Sequence, residues 1–278
     1  MVPPQRIGPV ASGLNPLIVR SLETGKVEAA IDLLLAAAGL RETFTEVGEL
    51  ATAPAAVNLV RGPDGPALVC CEPLTPTRNF TYARLAQHLR GERDVLTCPL
   101  PGFAPDEHVP AGLDALMAAQ TARVLDSGVE KNFVLLGHSS GGWVAHALAS
   151  HLEQRGVRPR AVLLIDTPTT AELRRTSLVP VLRALYDLWG EFLVLDDVQL
   201  TALGWYLKLF QDWVPRPLKT PVHFIGAEDS LPYTDGDRWE NQWQTATSAQ
   251  IPGNHFTIMT EQVAALAAAI RQECGRLP

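Results

Sequence analysis

The segment with the clearest capacity for chemistry is Gly137-His138-Ser139-Ser140-Gly141. It follows an apolar run at residues 133–136 and precedes a helix-forming stretch at residues 144–152. A serine flanked by glycines between a strand and a helix is typical of a nucleophile elbow, a tight turn whose strained backbone lifts the hydroxyl towards a substrate. Backbone N–H groups at the start of the following helix can then stabilise an oxyanion. The pattern predicts that Ser139 is a nucleophile.

A serine hydroxyl becomes a good nucleophile only when a base takes its proton, and histidine is the usual base. Among the seven histidines, His255 lies in a turn-rich loop after the last apolar run and before a C-terminal helix. That position predicts that His255 reaches the same sheet edge as Ser139. We expect His138 to point away from Ser139, because neighbouring side chains in a turn diverge. The other histidines lie on helices, in polar surroundings or at the start of a strand: His88, His108, His146, His151 and His223.

The histidine in turn needs a carboxylate to hold its tautomer, and two aspartates are candidates. Asp166 ends the apolar run at residues 161–165, and Asp229 follows the run at residues 222–225. Either choice gives the order serine, aspartate, histidine that is expected of α/β-hydrolases. Sequence order alone leaves both candidates open.

The apolar runs that must position these residues are short and continuous, and helices separate them. Such strands are buried on both faces, which favours a mostly parallel, doubly wound α/β sheet. Residues 169–219 contain no such strand but are rich in Leu, Trp and Tyr, notably at 182–189 and 203–213. We predict that they form a helical lid insertion over the carboxyl edge of the sheet. The five predicted strands are residues 67–71, 94–97, 133–136, 161–165 and 222–225.

Two apolar stripes at helical spacing precede the sheet and predict an N-terminal helical hairpin. The hairpin and a linker occupy residues 1–56, and the hydrolase domain occupies residues 57–278. The hairpin can either cover the core of its own chain or bury its stripe against a partner subunit, and the sequence leaves both readings open. The first stripe consists of Leu14, Leu17, Ile18 and Leu22.

Composition excludes several functional classes. The chain of 278 residues has a net charge of -7, which gives no attraction to nucleic acid or to an anionic membrane surface. The longest apolar neighbourhood, residues 29–40, is too short to span a bilayer, and the N-terminal residues do not read as a secretory signal. We therefore expect a cytoplasmic protein. The four cysteines lack the spacing of a zinc site, and no metal is expected: Cys70, Cys71, Cys98 and Cys274.

A set of motifs extends over nearly the whole chain, from Leu14 to about Arg271. It comprises the paired N-terminal helices, residues 98–103 (Cys-Pro-Leu-Pro-Gly-Phe), residues 137–142 (Gly-His-Ser-Ser-Gly-Gly), residues 164–168 (Leu-Ile-Asp-Thr-Pro), residues 238–243 and residues 252–257 (Pro-Gly-Asn-His-Phe-Thr). The set resembles the terminal thioesterase domains of modular type I polyketide synthases. The elbow motif alone is generic, whereas the histidine motif and the aspartate spacing together are much more specific.

The resemblance implies roles for particular residues. The acid is Asp166, with Asp229 as the alternative. The oxyanion hole is formed by the backbone N–H groups of Ser140 and of Leu74, which lies three residues after Cys71 as the family's second donor does. The loop departs from the Gly-Thr often found in the family, and its Pro73 has no N–H to donate. A substrate channel crosses the domain beneath the lid, and its apolar and aromatic lining suits a long acyl chain.

The resemblance also implies an activity and its partners. The enzyme takes a polyketide chain from the phosphopantetheine of an acyl carrier protein onto Ser139 and releases it by hydrolysis to the acid or by macrolactonisation. Because a thioester is already activated, no cofactor is needed. The partners are that carrier protein, in the same polypeptide or assembly line, and a second subunit bound through Leu14, Leu17, Ile18 and Leu22. The alternatives are a stand-alone esterase or lipase of the same fold and a non-catalytic interaction module.

Overall fold

The computed structural model describes residues 13–50, 55–63, 65–75, 81–129, 132–175, 195–231 and 239–277. Residues 182–189 of the predicted lid, the landmark residue Arg238 and the side chain of the predicted interface residue Leu22 lie outside the described part.

Strands and helices alternate along the described chain. The strands are β1 (Thr43–Phe44), β2 (Val57–Pro63), β3 (Ala67–Cys71), β4 (Arg93–Cys98), β5 (Val109–Pro110), β6 (Phe133–His138), β7 (Val162–Ile165), β8 (Val222–Ala227) and β9 (Thr247–Ile251). The helices are α1 (Leu14–Glu23), α2 (Val27–Ala38), α3 (Ala83–His88), α4 (Leu113–Asp126), α5 (Gly141–Gln154), α6 (Thr170–Arg175), α7 (Asp197–Phe210) and α8 (Val263–Gly275). Within these described ranges, every helix is too short or too polar to cross a bilayer.

A seven-stranded sheet forms the centre of the fold, in the order β2-β4-β3-β6-β7-β8-β9. Strand β2 is antiparallel to β4, and the other neighbouring pairs are parallel. From β3 the chain continues to β4 on one side and later to β6 on the other, so the direction in which strands are added reverses at β3. A crevice therefore opens at the carboxyl ends of β3 and β6, where ligands bind in open α/β sheets. This architecture confirms the predicted α/β-hydrolase fold.

Helices cover both faces of the sheet, as the continuously apolar strands predict. On one face, side chains such as Val69, Leu135 and Leu164 pack in a cluster with residues of α4, α5 and α7. On the other face, side chains such as Leu68 and Leu136 pack with residues of α3 and α8. Each fully buried Leu or Val side chain contributes about 1.5–3 kcal/mol relative to an exposed one, so the two clusters fix the strand register.

All five predicted strands are present as β3, β4, β6, β7 and β8, whereas β2 and β9 escaped prediction. The two missed strands lie at the two edges of the sheet. Side chains of β9 alternate between partly buried and exposed, and most of β2 is exposed or only partly buried. An edge strand needs few apolar residues, so neither segment stands out as an apolar run.

The N-terminal hairpin packs against α7 of its own chain. Leu14 and Ile18 are half-buried beside a small cluster made by Leu34, Leu200 and Leu203. Gly204 allows α2 and α7 to approach closely, because a Cβ there would lie 2.8 Å from the Leu34 carbonyl oxygen. The reading in which the hairpin covers its own chain is therefore confirmed for Leu14 and Ile18. Leu17 points away and is 54% exposed.

Arg41 joins the hairpin to the elements around the crevice. Its guanidinium donates to the carbonyl oxygens of Val198 on α7 and of Gly102 and Glu107 in the loop after β4, at 2.7–2.9 Å. The planar guanidinium has five N–H donors in a fixed geometry, which suits one side chain to hold several backbone segments. Arg41 thereby fixes α7 relative to the sheet.

Part of the predicted lid belongs to the core. The insertion between β7 and β8 is present, but Tyr206 and Phe210 on α7 are fully buried. The Tyr206 hydroxyl donates to the Pro101 carbonyl at 2.7 Å, and its ring stacks on Phe103. These two aromatic residues therefore anchor α7 to the core of the domain.

Candidate active site

Ser139 lies at a strained turn between β6 and α5. Its φ is 55°, in the left-handed region that residues with a side chain seldom adopt. The Ser139 N–H donates to the Ile165 carbonyl at 3.0 Å, which holds the turn against the end of β7. A Cβ at Gly137 would overlap the Gly141 carbonyl, so only glycine fits where the turn folds back on itself. The elbow predicted from the sequence is therefore present.

Three side chains form a continuous hydrogen-bonded series at the carboxyl edge of the sheet. His255 Nε2 lies 3.0 Å from Ser139 Oγ, and His255 Nδ1 lies 2.7 Å from Asp166 Oδ2. A carboxylate can only accept, so Nδ1 carries the proton and Nε2 is free to accept the serine proton. The geometry is that of a serine nucleophile with its base and its orienting acid.

Asp166 is buried and oriented on both oxygens. Burial by itself raises the pKa of this carboxyl, but the hydrogen bond and charge of His255, with the Ala227 N–H at 2.9 Å from Oδ1, outweigh burial and leave the pKa below its usual value. The carboxylate therefore stays ionised at neutral pH. Asp166 also adopts a φ of 40°, and its N–H donates to the Ile225 carbonyl at 2.8 Å. The turn after β7 thus aims this side chain at His255.

Asp229, the alternative acid, lies elsewhere in the loop after β8. It is exposed, and its backbone N–H donates to the Gly253 carbonyl at 3.0 Å. Among the described residues, Asp166 is the carboxylate that contacts His255. The structure therefore does not support the alternative, which sequence order had left open.

The loop that carries His255 is held by its own side chains. Asn254 Oδ1 accepts from the Phe256 and Thr257 N–H groups at 3.0 and 3.1 Å, and the Asn254 N–H donates to Thr257 Oγ1 at 2.8 Å. Trp239 packs edge-on against the His255 ring at 4.3 Å between centroids. These contacts limit the movement of the imidazole between its two partners.

His138, which we expected to point away from Ser139, lies against His255. Its ring stacks on that of His255 at 4.6 Å between centroids, and its Nε2 lies 2.9 Å from the His255 carbonyl oxygen. Burial is the main cause, and repulsion from His255 the second, that lowers the pKa of His138 to about 3, so its ring is neutral. Since a carbonyl only accepts, Nε2–H donates and pins the backbone of the base.

Tyr82 is a second functional residue that the sequence does not reveal. Its buried hydroxyl donates to the Cys71 carbonyl at 2.6 Å and accepts from the His138 N–H at 3.0 Å. These two groups lie at the adjoining ends of β3 and β6, where the strands separate to form the crevice. Tyr82 thereby satisfies buried backbone groups that the ladder no longer pairs, and it holds the crevice at a fixed width.

The predicted oxyanion donors belong to residues in contact, but the N–H of Leu74 already has a hydrogen-bond acceptor. Leu74 donates its backbone N–H to Ser140 Oγ at 3.0 Å. The Ser140 N–H, at the first turn of α5, has no acceptor among the described residues. The two residues that the resemblance implies are therefore in contact, but in the resting site the Leu74 N–H is engaged by the Ser140 side chain.

No group of three or more His, Cys, Asp or Glu side chains within the described ranges is arranged to hold a metal ion. The four cysteines are free and buried, and burial raises the pKa of each of their thiols. They are therefore poor nucleophiles at neutral pH.

Known proteins show the same domain. Residues 67–274 match the family described as Thioesterase domain. The chain is 37% identical over 263 residues to the spectinabilin polyketide synthase system protein NorC of Streptomyces orinoci, covering 89% of the chain and 11% of NorC. It is 34% identical over 278 residues to the polyketide synthase GfsE of Streptomyces halstedii, covering 96% of the chain and 7% of GfsE. The chain thus spans only about a tenth of the length of these relatives.

A solved structure supports the same assignment. The wild-type Vlm2 thioesterase domain is 26% identical, with a TM-score of 0.58, and the match covers 80% of this chain and 99% of that one. The family match over residues 67–274 contains the elbow, the acid turn and the histidine loop. This chain therefore belongs to the thioesterase domain family and is an enzyme of the serine hydrolase type with an α/β-hydrolase fold.

Proposed function

We propose that this domain releases polyketide chains that arrive as thioesters on the phosphopantetheine of an acyl carrier protein. The observation that carries the proposal is the series Ser139 Oγ, His255 Nε2, His255 Nδ1 and Asp166 Oδ2, with its distances of 3.0 and 2.7 Å. The polyketide synthases that share at least a third of their matched residues with this chain support the choice of substrate. The carrier protein would be supplied by the same polypeptide or assembly line.

The first half of the reaction forms an acyl-serine. Ser139 Oγ attacks the thioester carbonyl carbon while His255 Nε2 takes the hydroxyl proton, and the carbonyl electron pair moves onto oxygen. Asp166 stabilises the imidazolium that results. When the tetrahedral intermediate collapses, the C–S bond breaks and the thiol leaves with the proton from His255. Because the thioester is activated, these residues suffice without a cofactor.

The second half of the reaction repeats these steps with a different nucleophile. His255 takes a proton from water or from a hydroxyl of the bound chain, and the oxygen attacks the acyl-serine carbonyl. Water releases the free acid, and the internal hydroxyl releases a macrolactone. Exclusion of water from the site decides between the two products.

Product analysis tests this proposal directly. We expect the protein to convert a synthetic hydroxyacyl pantetheine thioester to the hydroxy acid, to the lactone that is one water lighter, or to both, with release of pantetheine. Mass spectrometry distinguishes these products, and Ser139→Ala is the matched control that should form neither. Rapid turnover of simple p-nitrophenyl esters with an untouched thioester would instead identify a general esterase.

We also propose that the domain forms a homodimer through the outer side of the N-terminal hairpin. Leu17 is 54% exposed and Leu33 is 41% exposed there, and solvent contact of such side chains is unfavourable. Leu14 and Ile18 support α1 from beneath.

The free thiols suit a reducing compartment, and we propose a cytoplasmic location.

Substitution of Leu17 tests the interface. Leu17→Asp should convert dimers to monomers in sedimentation velocity, because a carboxylate would be buried in an apolar contact. Leu125→Asp is the matched control, since Leu125 on α4 is a 40% exposed leucine outside the hairpin. An unchanged sedimentation coefficient for Leu17→Asp would place the interface elsewhere.

A further inference from the structure

We propose that the Ser140 side-chain hydroxyl, polarised by the Leu74 N–H, is itself a donor to the oxyanion during acyl transfer. The inference rests on the proposed nucleophilic role of Ser139 and adds a catalytic residue to the same site. It assigns to a side chain the second donor position that the family resemblance assigns to the backbone N–H of Leu74.

The position of the hydroxyl supports this role. Ser140 directly follows the nucleophile and adopts helical φ and ψ values of -62° and -17° at the start of α5. Its Oγ faces the loop after β3, where it accepts the Leu74 N–H at 3.0 Å. Leu74 is 1% exposed, whereas Ser139 and Ser140 are both partly exposed. The hydroxyl is therefore the group of this pair that a substrate in the crevice can reach.

The hydrogen-bonding capacity of a hydroxyl fits the same role. It has one O–H donor and two acceptor lone pairs, and the Leu74 N–H uses a lone pair. The proton of Ser140 has no acceptor among the described residues, so it is available to a ligand. A hydroxyl that accepts a hydrogen bond also donates more strongly, because hydrogen bonds in series polarise one another.

Donation through Ser140 needs less rearrangement than direct donation by Leu74. For the Leu74 N–H to reach an oxyanion, Ser140 Oγ must first leave and one existing hydrogen bond must break. With Ser140 in place, the carbonyl oxygen takes up the electron pair while it accepts hydrogen bonds from both the N–H and the O–H of Ser140. Both protons stay on Ser140, and the electron pair re-forms the carbonyl double bond when the C–S bond breaks and the thiol leaves with the proton from His255. Donors that are already in place are the most effective in such sites.

Removal of the hydroxyl separates the two possibilities. We expect Ser140→Ala to lower kcat for an acyl pantetheine thioester by about 10²-fold with little change in KM, which is the usual effect of losing one oxyanion donor. Ser140→Thr, which keeps the hydroxyl, should retain most of the activity. Ser140→Ala also frees the Leu74 N–H, so unchanged or faster turnover of this variant would overturn the proposal and favour Leu74 as the direct donor.

An inhibitor comparison excludes a merely structural effect. A trifluoromethyl ketone forms a tetrahedral adduct with an oxyanion, whereas the corresponding methyl ketone binds largely as the free ketone. Ser140→Ala should weaken binding of the trifluoromethyl ketone by about 10²-fold, the same factor as the loss in kcat, and should leave the affinity for the methyl ketone unchanged. Ser127→Ala, which removes a hydroxyl from the end of α4, is the matched control and should change neither. An equal loss of affinity for both ketones in Ser140→Ala would overturn the proposal.

The rate of labelling by a fluorophosphonate separates this inference from the proposed substrate. The reagent phosphonylates an activated serine whatever acyl chain the enzyme prefers, and its oxygen occupies the oxyanion hole. If the wild-type protein is labelled but no thioester is turned over, the substrate proposal fails while Ser140 is still tested. Slower labelling of Ser140→Ala than of wild type supports the hydroxyl as donor, and equal rates overturn it.

Discussion

The variants Ser139→Ala and His255→Ala should each lose about 10⁶-fold in kcat, and the double variant should lose no more than either single one. The reason lies in the 3.0 Å contact between Ser139 Oγ and His255 Nε2. Without the imidazole the hydroxyl keeps its proton, and without the hydroxyl the imidazole has nothing to activate. The measurement is steady-state release of thiol from an acyl thioester at saturating concentration, which gives kcat.

His88→Ala is the matched control for loss of an imidazole, because His88 is exposed at the end of α3. It should leave kcat unchanged. A His255→Ala variant that retained more than about one hundredth of the wild-type rate would contradict the assignment of the base. A double variant much slower than each single variant would show that the two side chains act independently, which the hydrogen bond between them does not allow.

The strands and the nucleophile were predictable because each has a strong local pattern. Strands β3, β6, β7 and β8 are buried throughout and β4 over its last four residues, so each strand contains a run of mostly apolar residues. The elbow and the histidine loop require glycine and turn-forming residues at fixed positions. Edge strands β2 and β9 lack such a pattern, because one side of each is unpaired and partly exposed.

The supporting residues around the site were harder to predict. His138 could have been found from strand alternation: Val134 and Leu136 of β6 pack on the same face as Ile258, so the next side chain in that alternation faces the histidine loop. No local pattern marks Tyr82, whose role depends on β3 and β6 meeting at the crevice.

The aromatic run of the lid shows a different limit. Residues 203–213, which include Tyr206, are predicted from the sequence as part of a lid over the channel, because an aromatic side chain suits an acyl chain as well as it suits a core. The structure buries its ring on Phe103 and pairs its hydroxyl with Pro101. Residue type alone does not distinguish the lining of an acyl-chain cavity from the protein core, because tyrosine suits an apolar environment with one polar partner in either place.

The acid is tested by a pair of isosteric changes. Asp166→Asn should lower kcat by about 10⁴-fold, whereas Asp229→Asn should have little effect, because Asp229 is exposed and makes no described contact with His255. Thiol release from an acyl thioester measures both. A larger loss for Asp229→Asn than for Asp166→Asn would move the acid to Asp229.

The size of the effect of Asp166→Asn follows from the orientation that the site forces on an amide. The Ala227 N–H donates to Oδ1 at 2.9 Å, so the carbonyl oxygen of an asparagine must occupy that position. The amide NH₂ then takes the place of Oδ2 and faces His255 Nδ1 at about the present 2.7 Å. Nδ1 must become an acceptor, which moves the proton to Nε2 and prevents that atom from accepting the proton of Ser139. Since asparagine tolerates the left-handed φ of 40° at this position, the variant should fold, and the loss should appear in kcat with thermal stability largely retained.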